Sequence, residues 1–303
     1  MNRCAVVGIV GRTNAGKSTL LNQMVGEKIS IVSPVAQTTR NTIRGILTED
    51  RGQLVFLDTP GLHKAEGTLG TLLNRMARQS SAGVDILVVV FDCSRHPRLE
   101  DDGWMRRVIF AEQPVVFVLN KSDLKPSRAE LFHELWEKIQ AEKEQTREVT
   151  WVSTTALKPA GVAPLLDQLF SMTLPTEDLL FPEDIVTDYP RKLAISDTIR
   201  EKFLARLQDE VPHELGILID QIDESKPGAW NVQVTIYVNR PSQKGIVIGN
   251  KGRILKYVKQ CAERELSEIF ELKVNLDLWV KIERDWMKNF WLLRQMGYAG
   301  AME

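Results

Sequence analysis

Over residues 1 to about 172, short apolar runs alternate with stretches whose apolar side chains recur every three or four positions. The runs at 5–10, 53–57, 85–91, 114–119 and 149–153 predict strands. The stretches at 17–25, 68–82, 99–111, 127–144 and 162–172 predict helices. The run Ile86-Leu87-Val88-Val89-Val90-Phe91 contains no polar residue, as expected for a strand covered on both faces. Such alternation predicts an α/β fold with a mostly parallel sheet between helical layers.

The pattern breaks at 173–190. This stretch carries Pro175, Pro182 and Pro190 among several acids and reads as a linker. Beyond it the periods change order. A helix is predicted at 191–210, strands at 215–223 and 230–239, a helix at 253–269, a strand at 272–282 and a helix at 284–296. The chain thus divides into an α/β domain over 1–172, a linker over 173–190 and a smaller α+β domain over 191–303. No internal repeat is evident.

Composition narrows the classes. A net charge of −1 gives no global attraction to nucleic acid, so any such signal must be local. Cys4, Cys93 and Cys261 are scattered and include no C-x-x-C pair, which argues against a zinc site or a disulfide framework. His63, His96, His133 and His213 lack metal-ligand spacing and read as surface residues. With no apolar run long enough to span a bilayer and no leader-like segment, a cytoplasmic protein is expected.

Gly11-Arg12-Thr13-Asn14-Ala15-Gly16-Lys17-Ser18 satisfies G-x-x-x-x-G-K-[ST] and lies between a predicted strand and a predicted helix. Gly11 and Gly16 allow a tight turn and close approach of backbone to phosphate. Amides of the loop and of the first helical turn, through Thr19, face the anion. Lys17 reaches the terminal phosphates and Ser18 ligates Mg²⁺. A chance Gly-rich turn is the bland alternative, and the flanking strand and helix count against it.

Three further segments follow in the order such a site needs. Asp58-Thr59-Pro60-Gly61 ends an apolar strand, placing a carboxylate near the metal and the Gly61 amide near the γ-phosphate. Asn120-Lys121-Ser122-Asp123 ends another. The Asp123 carboxylate can accept from guanine N1–H and N2 together, whereas adenine offers neither donor on that edge. Thr155-Ala156 fits the segment that packs on the base, with Ser153-Thr154 an alternative. Between the first two motifs, Ser33 to Arg40 is a polar loop in which Thr39, rather than Thr38, is expected to complete the Mg²⁺ shell. Together these predict a GTPase. Leu62 stands where many P-loop GTPases carry a Gln, so slow intrinsic turnover is expected. Lys17, Asn14, Thr39 and Gly61 are the expected catalytic set, and Asn14 could hold K⁺ beside the phosphates.

In the second domain, Gly249-Asn250-Lys251-Gly252 is a G-x-x-G that follows a strand-like apolar segment and opens a basic helix. The basic residues from Lys226 through Ala262 are Lys226, Arg240, Lys244, Lys251, Arg253, Lys256 and Lys259, and no acid interrupts them. That is the local footprint of phosphate binding, with a solvated helix face as the bland alternative. Lys244, Gly245, Ile248, Gly249, Asn250, Lys251, Gly252, Arg253 and Lys256 are the candidate RNA contacts. Trp279, Trp286, Phe290 and Trp291 have helical and strand spacing, and most of them read as core residues rather than base-stacking platforms.

These segments, with Gln37-Thr-Thr-Arg40, Asp58-Thr-Pro-Gly-Leu-His63, Glu210-Val-Pro-His213, Ile248-Gly-Asn-Lys-Gly252 and Leu278-Trp-Val-Lys281, resemble the Era family of GTPases over nearly the whole chain. The resemblance implies a P-loop GTPase domain followed by a type II KH domain. It implies GTP or GDP with Mg²⁺ as ligands, and binding of the 3′ end of 16S ribosomal RNA by the KH domain, gated by nucleotide. It further implies a monomeric, cytoplasmic protein that assists maturation of the 30S subunit, associates peripherally with the membrane and does not bind DNA. Two departures stand out. Ala15 replaces the usual Val, and the RNA loop reads Gly-Asn-Lys-Gly where family members often have Gly-Lys-Gly-Gly. Two other functions compete: an RNA-binding assembly factor with structural GTP, and a signalling GTPase whose basic surface meets anionic lipid.

Overall fold

The computed structural model describes residues 2–32, 43–58, 83–207, 211–212 and 214–298. The described chain forms two compact units, the first ending at Asp188 and the second beginning at Tyr189. The predicted helix 68–82 and the motif residues Gln37 to Arg40, Thr59 to His63, Glu210 and His213 lie outside the described residues.

In the first unit, β1 (Asn2–Gly11), β3 (Gly52–Asp58), β4 (Ile86–Asp92), β5 (Val115–Asn120) and β6 (Thr150–Ser153) form a parallel sheet. Its strand order is β2-β3-β1-β4-β5-β6, with β2 (Ile43–Glu49) antiparallel to β3 at one edge. Every residue of β4 is buried, as its unbroken apolar run requires. Helices α1 (Lys17–Val25), α2 (Leu99–Val108), α3 (Ala129–Lys143) and α4 (Ala163–Ser171) follow strands β1, β4, β5 and β6. Phe91, Phe117, Phe132, Trp136 and Trp151 pack edge-on or tilted at 4.8–6.5 Å between β4, β5, β6 and α3.

Two expectations are corrected here. The strand β2 has no counterpart in the sequence reading, because Arg44, Gly45 and Thr48 break its alternation. The stretch read as a linker begins instead with β7 (Leu174–Thr176), antiparallel to the start of β1. Its remainder stays bonded to the first unit. Gln53 exchanges two hydrogen bonds of 2.9 Å with the Phe181 backbone. The Ile46 amide donates to Val186 O at 2.8 Å, and Arg44 pairs with Asp188. Of the three prolines, Pro175 lies in β7, Pro182 opens a turn closed by the Ile185 amide, and Pro190 caps the helix that starts at Arg191.

The second unit runs α5 (Arg191–Leu204), β8 (Gly216–Lys226), β9 (Ala229–Val238), α6 (Pro241–Ile248), α7 (Arg253–Ile269), β10 (Lys273–Ile282) and a short α8 (Phe290–Gln295). β9 is central, antiparallel to β8 and parallel to β10. Val258, Ala262 and Leu266 of α7 recur every four residues and enter one core with Val232, Val234, Ile236, Val274 and Leu276. The segment 241–248, read as strand-like, is helical. Pro241 starts it, and Gln243 Oε1 accepts from the amides of Asn239 and Arg240 at 2.9 and 3.1 Å. Trp286 is buried as expected, but Trp279 and Trp291 are 68% and 69% exposed and Phe290 is exposed too. No helix among the described residues is long and apolar enough to cross a membrane.

Candidate functional site

The carboxyl end of β1 turns into α1 through a loop whose backbone only glycine tolerates at two points. Gly11 has φ 147°, and a Cβ there would stand 2.5 Å from Val90 O. Gly16 has φ 96°, and a Cβ there would stand 2.3 Å from Asn120 Nδ2. Gly16 is also the N-cap of α1 and offers no side chain to its first-turn amides, which leaves them to an anion. Lys17 is buried and its Nζ donates to Arg12 O at 3.0 Å. Desolvation holds its pKa below the ordinary lysine value, partly opposed by the charge of Asp58. This is an ammonium whose charge an incoming polyanion would stabilise.

Asp58, at the end of β3, is fully buried. Its Oδ2 accepts from Ser18 Oγ at 2.7 Å and from Ser30 Oγ at 3.1 Å. A hydroxyl and a carboxylate converging beside a phosphate-binding turn form a hard oxygen donor set that suits Mg²⁺. Thr39, Thr59, Pro60 and Gly61 lie outside the described residues.

The Asn-Lys pair at the end of β5 joins the base side of the site to the phosphate loop. Asn120 Nδ2 donates to Ala15 O at 2.9 Å, and Lys121 Nζ donates to Asn14 O at 2.8 Å. Thr154 Oγ1 donates to Asn120 Oδ1 at 3.1 Å, and Ser122 Oγ donates to Thr154 O at 2.9 Å. These bonds carry Asp123, which is exposed, together with half-buried Thr155 and buried Ala156, to one end of the sheet.

In the second unit the two glycines of the G-x-x-G take positive φ, 73° at Gly249 and 77° at Gly252. Gly249 ends α6 and Gly252 caps α7, so the loop is a helix–helix junction. Asn250, Lys251, Arg253 and Lys256 are exposed around it, and Ile248 and Lys244 are half-buried.

Residues 6–121 match the family described as "50S ribosome-binding GTPase", and 210–287 match the KH domain family. The chain is 37% identical over 299 residues to the GTPase Era of Thermoanaerobacter sp. (strain X514), covering 98% of this chain and 97% of that one. It is 36% identical over 297 residues to the GTPase Era of Staphylococcus haemolyticus, with the same coverage. The chain belongs to the Era GTPase family. Its fold agrees with that of Era solved in complex with MgGDPNP and nucleotides 1506–1542 of 16S ribosomal RNA, at TM-score 0.88 and 33% identity, over 98% of this chain and 99% of that one. An Era variant from Aquifex aeolicus bound to GDP·AlF4⁻ superposes at TM-score 0.87 with 34% identity and the same coverage.

Within this Era fold one group of residues escaped the sequence reading. Asp92, buried at the end of β4, accepts from Lys121 Nζ at 2.8 Å and lies 3.4 Å from Arg12 Nη2. Arg12 Nε also lies 3.2 Å from buried Asp101 of α2. Burial opposes the Asp92 charge, but hydrogen bonds from Lys121 and Ser94 outweigh it and hold its pKa below the usual value. Burial pushes the Asp101 pKa up, opposed by the Arg98 amide and by Arg12. The Arg12 side chain therefore braces the loop from behind. One signal was available: Asp92 is a lone carboxylate ending an all-apolar central strand, where α/β sheets place their ligand crevice.

Proposed function

We propose that this chain binds and hydrolyses GTP in the first unit and binds the 3′ end of 16S ribosomal RNA in the second, with nucleotide state setting RNA affinity. The observation that carries the reading is the pair of bonds from Asn120 and Lys121 to Ala15 O and Asn14 O. They make the base-reading and phosphate-reading segments one rigid site. Gly11, Arg12, Thr13, Asn14, Ala15, Gly16, Lys17, Ser18 and Thr19 take the phosphates. Asn120, Lys121, Ser122, Asp123, Thr155 and Ala156 would take the base, and Asp58, Thr59, Pro60 and Gly61 would contact GTP and Mg²⁺.

Ser18, Asp58 and Thr39 would hold Mg²⁺, which would neutralise charge developing on the phosphate oxygens. Lys17 would shift its hydrogen bond from Arg12 O to a phosphate oxygen and keep its proton there. Asn14 would offer oxygen to K⁺, and the Gly61 amide would serve the γ-phosphate. The loop residues Lys244 to Lys256 named above clamp about four nucleotides. The protein acts in the cytoplasm as a monomer on the 30S subunit, in peripheral contact with the membrane, and discriminates against DNA.

The test is affinity for an RNA matching the 16S 3′ end, with a GTP analogue and with GDP, in wild type and Gly252→Asp. The reading expects tighter binding with the analogue and loss of binding in the variant. The Gly252 position has open space for a side chain but a left-handed φ of 77°, which Asp enters more readily than most residues, so an unchanged melting temperature is what separates the added charge from backbone strain. Equal affinity in both nucleotide states removes the gating.

A further inference from the structure

Beside the G-x-x-G loop lies a cleft of about 440 Å³ lined by Arg206, Asn250 and, on α7, Arg253, Lys256, Tyr257 and Gln260. Arg206 belongs to the turn after α5, well outside the loop segment. Its guanidinium carbon stands 3.8 Å from the centroid of the Tyr257 ring, and both side chains are exposed. That separation is van der Waals contact over the ring face, a cation–π pair that holds the guanidinium beside the cleft. Among the described residues no acid lines the cleft. Neither Arg206, Arg253 nor Lys256 has an ion-pair partner among the described residues.

The charge order along α7 bears on the same point. Arg253, Lys256 and Lys259 occupy its first two turns, whereas its later part carries Glu263, Glu265 and Glu268 against a single cation, Arg264. This is the reverse of what the helix dipole favours. Gly252 caps α7 without a side chain, so the helix N-terminus adds to the same positive potential. The sequence has concentrated positive field at this cleft against the interest of the helix, which is what an anionic ligand needs.

We propose that this cleft is a second contact for single-stranded RNA. An unstacked base lies on the Arg206 guanidinium, backed by Tyr257, while Arg253 and Lys256 take the adjoining phosphates. The proposal rests on reading the second unit as an RNA-binding module, and extends its footprint past the four or so nucleotides that the loop clamps. A flat cation over an aromatic ring suits any base, because every base has a π-face.

The experiment measures affinity of the full chain, with a GTP analogue, for a labelled single-stranded RNA of about twelve nucleotides from the 16S 3′ end. It compares wild type with Arg206→Ala, Arg206→Lys, Tyr257→Ala, Tyr257→Phe and Gly252→Asp, each checked for an unchanged melting temperature. Loss of one stacked base predicts about tenfold weaker binding for Arg206→Ala and Tyr257→Ala. Tyr257→Phe should match wild type, and Arg206→Lys should recover only part of the loss, because an ammonium does not stack. Wild-type affinity in Arg206→Ala, with binding lost in Gly252→Asp, overturns the second contact and leaves the loop reading standing. Full recovery by Arg206→Lys overturns the stacking platform. Failure of wild type to bind the RNA removes the reading of the second unit itself, and the proposal with it.

Discussion

The two candidate sites are built in opposite ways. The nucleotide site is braced from behind: Arg12, Lys17, Asp58, Asp92, Asp101 and Asn120 are all buried and joined by hydrogen bonds or ion pairs. The RNA loop has no such brace. Two left-handed glycines set its backbone, and its cations stand exposed around it. A buried network fixes positions to fractions of an ångström and discriminates by leaving a wrong ligand's partners unpaired. An exposed cation cluster fixes little and attracts by field. The first suits one small ligand read atom by atom, and the second suits a flexible polyanion.

The largest effect should come from spoiling the closest approach in the braced site. Gly16→Ala places a methyl 2.3 Å from Asn120 Nδ2 at a φ of 96°. Asn120 must then let go of Ala15 O, and the loop loses its tie to the base side. GTP affinity should fall by more than about a hundredfold, on the order of 3 kcal/mol. Titration with a fluorescent guanine nucleotide reads it, and a Kd within threefold of wild type would falsify the close-approach argument.

Next comes the brace itself. Asp92→Asn keeps the shape but leaves Lys121 and Arg12 without their shared carboxylate. Removing one partner from a buried ion pair typically costs about 3–5 kcal/mol. Part of that is recovered here, because Asp101 remains beside Arg12 and Lys121 is only half-buried. We therefore expect the low end, about 3 kcal/mol, seen as a lower melting temperature and weaker guanine-nucleotide binding together. Loss of stability with nucleotide affinity intact would separate the brace from the site.

The same comparison explains what could be read from sequence. Motifs with fixed spacing on one loop, such as Gly11 to Ser18 or Asn120 to Asp123, were legible because their chemistry is local. Arg12 was assigned to phosphate by its place in the motif, yet its side chain turns to Asp92 and Asp101, eighty or more residues away, which no local pattern encodes. In the second unit the exposed loop was legible for the same reason, but 241–248 was not. Its apolar residues Ile246, Val247 and Ile248 carry strand-like propensity, and the helix is imposed by Pro241, the Gln243 cap and packing of Val247 into the core. The helical and strand spacing of Trp279, Trp286, Phe290 and Trp291 points to a core for most of them, yet spacing does not say which face of an element is covered. Trp279 and Trp291 are exposed because they stand on the outer face of β10 and on a short terminal helix.

A titration sharpens the contrast further. The Lys17 pKa is lowered by burial in the free protein. The folded state therefore penalises the charged form, and Lys17 costs stability below its folded pKa, a cost that fades as pH rises toward the ordinary value of about 10.4. Bound phosphate reverses the preference. GTP affinity should thus decline with alkaline pH beginning below that ordinary value, and the decline should be shallower in Lys17→Met, where only loss of the guanine N1 proton remains. Parallel pH profiles for the two proteins would show that Lys17 does not carry the dependence.

The smallest effect belongs to the loop. Lys251 sits at φ 50° with its side chain exposed. Asn tolerates that left-handed backbone better than most residues, so Lys251→Asn removes a charge without adding strain. Binding to single-stranded RNA releases about 0.7 counterion for each phosphate neutralised. If Lys251 meets a phosphate, the slope of log affinity against log salt should flatten by about 0.7 in the variant, while the melting temperature holds or rises slightly. An unchanged slope would place Lys251 off the RNA path and shift the field to Lys244, Arg253 and Lys256. GTP affinity measured on the same variant should not move in either case, because nothing in the braced site depends on that charge.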